Sequence, residues 1–281
     1  MLTPTPKVVE SNPQGERRPG QFFGSNPERY DRTRPKYPDA MIERLVKAFT
    51  GPNVLDVGCG TGVVALQLQK AGCAVLGVEP DMRMAEVARR GGIDVEIATF
   101  EAWGLAGRQF DAVVSGTAWH WVDPVMGAAK AASALRPGGM LAPFWHVFEP
   151  PPEVAEGFAA AYRRVEPGSP MDARSAGTLS AFSAGPNLAA YQVLFDNALI
   201  GIRQVGRFNE PERWRFDSEQ SYTRDEWLEQ MTTFGPLLRL PGHKRAQILE
   251  NVGSVIDGMG GAVNVTCITV LFTATCRAGK S

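Results

Sequence analysis

The sequence predicts an α/β fold, a mostly parallel sheet with helices on both faces. Two observations support this. Between residues 53 and 145, short apolar runs with strand composition alternate with runs of helical spacing. The first strand is joined to its helix by a glycine-rich turn, Asp56-Val57-Gly58-Cys59-Gly60-Thr61-Gly62. Such a turn brings backbone amides at a helix start close to a ligand at the sheet edge.

The elements follow in order. Residues 1–20 hold Pro4, Pro6, Pro13 and Pro19 among few apolar residues, which suits a flexible N-terminal arm. Met41, Ile42, Leu45, Val46 and Phe49 recur at spacings of three and four, predicting an amphipathic helix stopped by Gly51-Pro52. Strands are predicted at 53–57, 74–79, 93–97, 110–115 and 138–145, with helices at 62–71, 81–90 and 124–134. Asp81 and Asp123-Pro124 are good starts for two of these helices. Right-handed crossovers then gather the strand-to-helix loops on one edge of the sheet.

Past Phe148 the alternation breaks at Glu149-Pro150-Pro151-Pro152. Helices at 153–165 and 186–199, with a Gly/Ser/Ala-rich stretch between them, read as a lid insertion at about 150–200. Residues 202–217 have strand composition. Helices are expected from Thr223 to Phe234 and over 241–257, with a last strand over 263–276. The domain organisation expected is an arm over 1–20 and one domain over 21–281 that includes the lid.

Composition excludes several classes. The 281 residues are 44% hydrophobic, enough for a sizeable core, and the formal net charge is −1. No basic excess favours nucleic acid or an anionic membrane. No apolar run reaches the roughly 18–20 residues that span a bilayer. The first residues lack the basic-then-apolar pattern of a secretory signal. Cys59, Cys73, Cys267 and Cys276 show no C-x-x-C spacing, so free thiols in a reducing cytoplasm are expected. The histidines are scattered, and no metal site is expected.

Glycine spacing selects among cofactors. A dinucleotide loop follows G-x-G-x-x-G, which would put its third glycine where Val63 stands. Here the glycines fall at 58, 60 and 62, with an acid two positions earlier. This D-x-G-x-G-x-G pattern resembles the first motif of Rossmann-like S-adenosylmethionine-dependent methyltransferases. The resemblance extends to Phe110-Asp111-Ala112-Val113-Val114-Ser115, to Ala118-Trp119-His120-Trp121, and to Leu135-Arg136-Pro137-Gly138-Gly139-Met140-Leu141. Gln21-Phe22-Phe23-Gly24 and the run from Tyr30 to Pro38 resemble the lead-in of a bacterial small-molecule subgroup.

The resemblance implies a seven-stranded sheet whose last strand is antiparallel to its neighbours. It implies that Asp56, Gly58, Cys59, Gly60, Thr61 and Gly62 line the methionine end of S-adenosylmethionine. Glu79 would hold the ribose, and Met84, Thr99, Phe100 and Glu101 would flank the adenine. Ser115 would offer its backbone carbonyl to the cofactor ammonium, and Tyr30 and Arg34 would close over the donor. Many relatives have an aspartate where Thr99 stands, so the partner of the adenine amino group is left to Glu101 or water.

For the acceptor, Trp119 and Trp121 are expected to wall an apolar pocket. His120, and less directly His146, are candidate general bases. The [D/N]-P-P-[Y/F] motif of nucleobase and glutamine methylation is absent at Ser115-Gly116-Thr117-Ala118. The expected activity is methyl transfer to O, N or C of a small, partly apolar molecule, with S-adenosylhomocysteine as product. The alternatives are a non-catalytic S-adenosylmethionine-binding or regulatory protein and an NAD-dependent oxidoreductase. The expected setting is cytoplasmic, with no membrane or nucleic-acid partner; oligomeric state is not legible.

Overall fold

The computed structural model describes residues 23–168 and 187–277. The expected arm at 1–20 and the Gly/Ser/Ala-rich part of the expected lid lie outside them. The strands are β1 (Asn53–Val57), β2 (Ala74–Glu79), β3 (Asp94–Ile97), β4 (Phe110–Gly116), β5 (Leu135–Glu149), β6 (Glu212–Thr223) and β7 (Ala262–Thr275). They form one seven-stranded sheet in the order β3-β2-β1-β4-β5-β7-β6. The first five are parallel, and β7 runs antiparallel to both β5 and β6. This is the Rossmann-like arrangement expected, with its antiparallel last strand.

The helices are α1 (Pro27–Thr33), α2 (Asp39–Ala48), α3 (Val63–Lys70), α4 (Met82–Arg90), α5 (Pro124–Ala134), α6 (Pro152–Val165), α7 (Asn187–Ala190), α8 (Gln192–Val205), α9 (Arg224–Met231), α10 (Gly235–Leu238) and α11 (Gly242–Gly258). Strand alternation decides which face each covers. Leu55, Val57, Val113, Leu141, Trp145 and Val147 face one side and pack with α5 and α8. Val54, Ala112, Val114, Ala142 and Phe144 face the other and pack with α2 and α3. On that second face, Phe148, Val265 and Cys267 pack instead with α6, α9 and α11. Two helix groups therefore share one face.

Strand β5 is long, and this matters for the site. Its pairing with β4 ends at Gly116 opposite Phe144, while its pairing with β7 continues through His146 to Glu149. His146 and Phe148 thus project past the end of β4, on the same face as Phe144.

One expectation is corrected here. Residues 202–205 end α8 rather than begin a strand. Phe195, Ala198 and Ile202 are buried at helical spacing, and Gly206 closes the helix at φ +65°. The strand starts at Glu212. The described helices of the expected lid serve as sheet cover, with α6 against α11 and α8 against α5. The short helix α1, capped by the Asn26 side chain, was not legible in the sequence.

Candidate active site

The glycine turn leaves β1 at the carboxyl edge of the sheet and enters α3. Gly58, Gly60 and Gly62 all have positive φ, at 68°, 56° and 89°, a region that disfavours side chains. A Cβ at Gly58 would also sit 2.5 Å from the Ala118 Cβ. The turn is tied to β2: Gly58 N–H donates to the Val78 carbonyl at 2.8 Å, and Gly60 N–H donates to Glu79 Oε2 at 3.0 Å. Glu79 Oε1 accepts the Asp81 N–H at 2.9 Å. One carboxylate thus braces the loop and the start of α4, while lone pairs remain on both oxygens for hydroxyl donors.

Asp56 is fully buried, and neither of its carboxylate oxygens has a hydrogen-bond partner among the described residues. Burial, and then the nearby Glu79, push its pKa up to about 8. Burial raises Glu79 to about 7, against the lowering effect of its two backbone hydrogen bonds. An unpaired buried carboxylate is costly, and an arriving cation would relieve that cost.

Asp56 lines a cavity where the two helix groups part. Tyr37, Gly58, Cys59, Gly60, Thr61, Val64, Gly116, Thr117, His146 and Phe148 form its floor and walls, and Tyr30, Arg34 and Pro35 roof it. It offers about 50 Å³ of room for water-sized groups within a crevice of about 510 Å³, part of it open to solvent. Thr61 Oγ1, Arg34 Nε and His146 Nε2 are buried there without a partner among the described residues. Arg34 also donates to the Thr233 carbonyl at 3.0 Å and lies over the Tyr30 ring.

Of the remaining predicted residues, Cys59 lines this cavity, and Met84, Thr99, Phe100, Glu101 and Ser115 are not part of its lining. The Ser115 hydroxyl donates to the Val57 carbonyl at 2.8 Å. Cys59 turns its sulfur under the loop, toward Gly77. Met84 is buried beneath Gly60. Phe100 is buried in the core against α5. Thr99 Oγ1 accepts the Ala102 N–H at 3.4 Å, and Glu101 Oε1 accepts the Asp123 N–H at 3.0 Å.

Trp119 and Trp121, expected to wall the acceptor pocket, lie outside the lining of this cavity. Trp119 is buried beside Phe100 in the core, and Trp121 is half-exposed, against Phe23. Neither lines the cavity. A short 3-10 turn over Trp119–Trp121 turns the first ring inward. His120 is not in the lining either. Its Nδ1 accepts the Trp145 indole N–H at 3.2 Å, and burial lowers its pKa to about 4.

The cavity residues missed in sequence include two with hydroxyl side chains, Tyr37 and Thr117. The Tyr37 hydroxyl lies 3.2 Å from Thr117 Oγ1, which also accepts the His146 N–H at 3.3 Å. Thr117 has φ +53°, a strained backbone for a β-branched residue. Nothing in Thr-Ala-Trp-His announces that.

Comparison with known proteins bears on the loop and the sheet together. Residues 54–139 match the family model described as "Methyltransferase domain". An uncharacterised methyltransferase of Mycobacterium tuberculosis is 39% identical over 127 residues, 44% of this chain and 51% of that protein. A ubiquinone biosynthesis O-methyltransferase of Parvibaculum lavamentivorans is 32% identical over 137 residues, 46% of this chain and 54% of that protein. The chain thus spans about half the length of these relatives. The solved structure of a candidate type II methyltransferase from Anaeromyxobacter dehalogenans superposes with a TM-score of 0.61 at 22% identity. That match covers 88% of this chain and 99% of the other, and shows a shared fold.

Among the described residues no helix is long and apolar enough to cross a membrane.

Proposed function

We propose that this chain is an S-adenosylmethionine-dependent methyltransferase acting on O, N or C of a small, partly apolar molecule. The observation behind this is Asp56, a buried carboxylate with no hydrogen-bond partner among the described residues, at the mouth of a glycine turn in the span that matches a methyltransferase-domain model. The chemistry of the donor fits the residues present. Asp56 suits its ammonium group, the amides entering α3 suit its carboxylate, and Glu79 suits the ribose hydroxyls. When bound, the donor supplies an activated methyl group on a sulfonium. The protein's share is to align acceptor and methyl in a water-poor crevice, and proximity of this kind contributes up to about 7–11 kcal/mol in favourable cases.

Thermal unfolding with added ligands tests the reading. S-adenosylmethionine and S-adenosylhomocysteine should each raise Tm, and NAD and NADH should not. Stabilisation by NADH alone would favour the oxidoreductase alternative.

A further inference from the structure

We propose that His146 is the proton-accepting catalytic residue and that the acceptor it serves is a phenolic hydroxyl. This rests on the functional reading above and goes beyond it in naming the residue and the substrate class.

The geometry separates the two histidines. The His120 lone pair on Nδ1 is occupied by the Trp145 indole, so its ring proton sits on Nε2. His120 also lies off the cavity. His146 is 5% exposed and lines the cavity, and its Nε2 is buried with no partner among the described residues. Its ring is fixed between Tyr37, at 4.9 Å between centroids, and Phe148, stacked at 5.5 Å and 7°. Its backbone N–H is held by Thr117 Oγ1. A ring locked by packing in the wall of a cavity that Asp56 also lines is a preorganised acceptor of a proton or hydrogen bond.

The surroundings select the acceptor. Arg34 roofs the same cavity with an unpaired Nε, and its charge, after burial, helps hold His146 neutral. A fixed cation there opposes an ammonium-bearing acceptor and favours an oxygen that gains negative character. Tyr30, Tyr37, His146 and Phe148 make much of the lining aromatic, although Phe148 is already stacked between His146 and Phe234, and an aromatic acceptor matches that lining at its ring edges. A phenol combines the ring with an acidic hydroxyl. In the reaction the acceptor oxygen forms a bond to the methyl carbon as the carbon–sulfur bond breaks and its electron pair stays on sulfur. The hydroxyl proton passes to His146 Nε2 and then to solvent. A weak base suffices, because the oxygen becomes strongly acidic as the new bond forms.

The test is ¹⁹F NMR titration of 4-fluorophenol and 4-fluorotoluene into protein saturated with S-adenosylhomocysteine. Wild type should bind the phenol at least about tenfold more tightly than the toluene. His146→Phe should abolish that preference, and His146→Gln, whose amide oxygen still accepts a hydrogen bond, should keep most of it. Affinity for S-adenosylhomocysteine, measured by calorimetry in all three, sets the concentration that saturates each. No preference in wild type, or a preference intact in His146→Phe, overturns the assignment. Absence of S-adenosylhomocysteine binding to wild type overturns the functional reading and the inference together. Imidazole ¹⁵N spectra of wild type give a readout that does not depend on a variant folding. His146 Nε2 should show a free lone pair whose signal moves upfield with 4-fluorophenol, and an Nε2 that already bears the proton refutes the proposal.

Discussion

Asp56 and Glu79 are the residues on which the account turns, and both hold their protons more tightly in the fold than in an open chain. The sign of the pH effect follows. The unfolded chain ionises these carboxyls near the ordinary value of about 4, while the folded chain resists until about 7 and about 8. Their contribution to stability is therefore fully present below about pH 4 and is lost as pH rises to about 8. Thermal unfolding from pH 5 to pH 8 should show Tm falling, and Asp56→Asn should flatten that slope. An equal slope in the variant would mean that Asp56 is solvated and ionised. Cation binding favours the ionised pair, so S-adenosylhomocysteine should bind more tightly at pH 8 than at pH 6, with release of protons. For Glu79→Ala, a loss of about 1.5–3 kcal/mol in donor binding is expected from removing a charged hydrogen-bond acceptor. Isothermal calorimetry measures it, and unchanged affinity removes Glu79 from the site.

Among the elements, the helices that frame the site are fixed by close approaches that the sequence shows only in part. Gly201 on α8 is one: a Cβ there would stand 2.0 Å from the Pro124 carbonyl oxygen at the start of α5. Gly201→Ala should push α8 from α5 and cost about 1–3 kcal/mol by overpacking, seen as a lower denaturant midpoint. An unchanged midpoint would show that the two helices slide freely. The strands of the parallel half and the glycine turn were legible because apolar runs and glycines at 58, 60 and 62 are local signals. Asp56 and Glu79 were legible because strand ends fix where side chains emerge. The acceptor side was not. Trp119 reads as a pocket wall until a 3-10 turn buries it, and Tyr37 and Thr117 reach the cavity through contacts 80 residues apart in sequence. The residues at 202–205 share strand-like composition with a helix end, and only their burial spacing separates the two.

For the molecule as a whole, one sheet face carries two helix groups, and the space between them is the site. The segment from α1 to Pro35 roofs it. It is held by Arg32 to Glu229 and by Arg34 to the Thr233 carbonyl. The room beneath, about 50 Å³, is too small for a donor, since small-molecule sites run about 300–1,000 Å³. A roof that lifts for entry and settles on the bound donor is the expectation this sets up. Hydrogen exchange over 27–35 should be fast in the free protein and slowed by S-adenosylhomocysteine, whereas equal exchange in both states would place the entry route elsewhere. The central claim is that the glycine turn and Asp56 hold the methyl donor. Isothermal calorimetry of S-adenosylhomocysteine against wild type and Asp56→Ala tests it most directly. The account predicts saturable one-to-one binding to wild type and a loss of at least about tenfold in the folded variant. No binding to wild type, or equal binding to both, would contradict it.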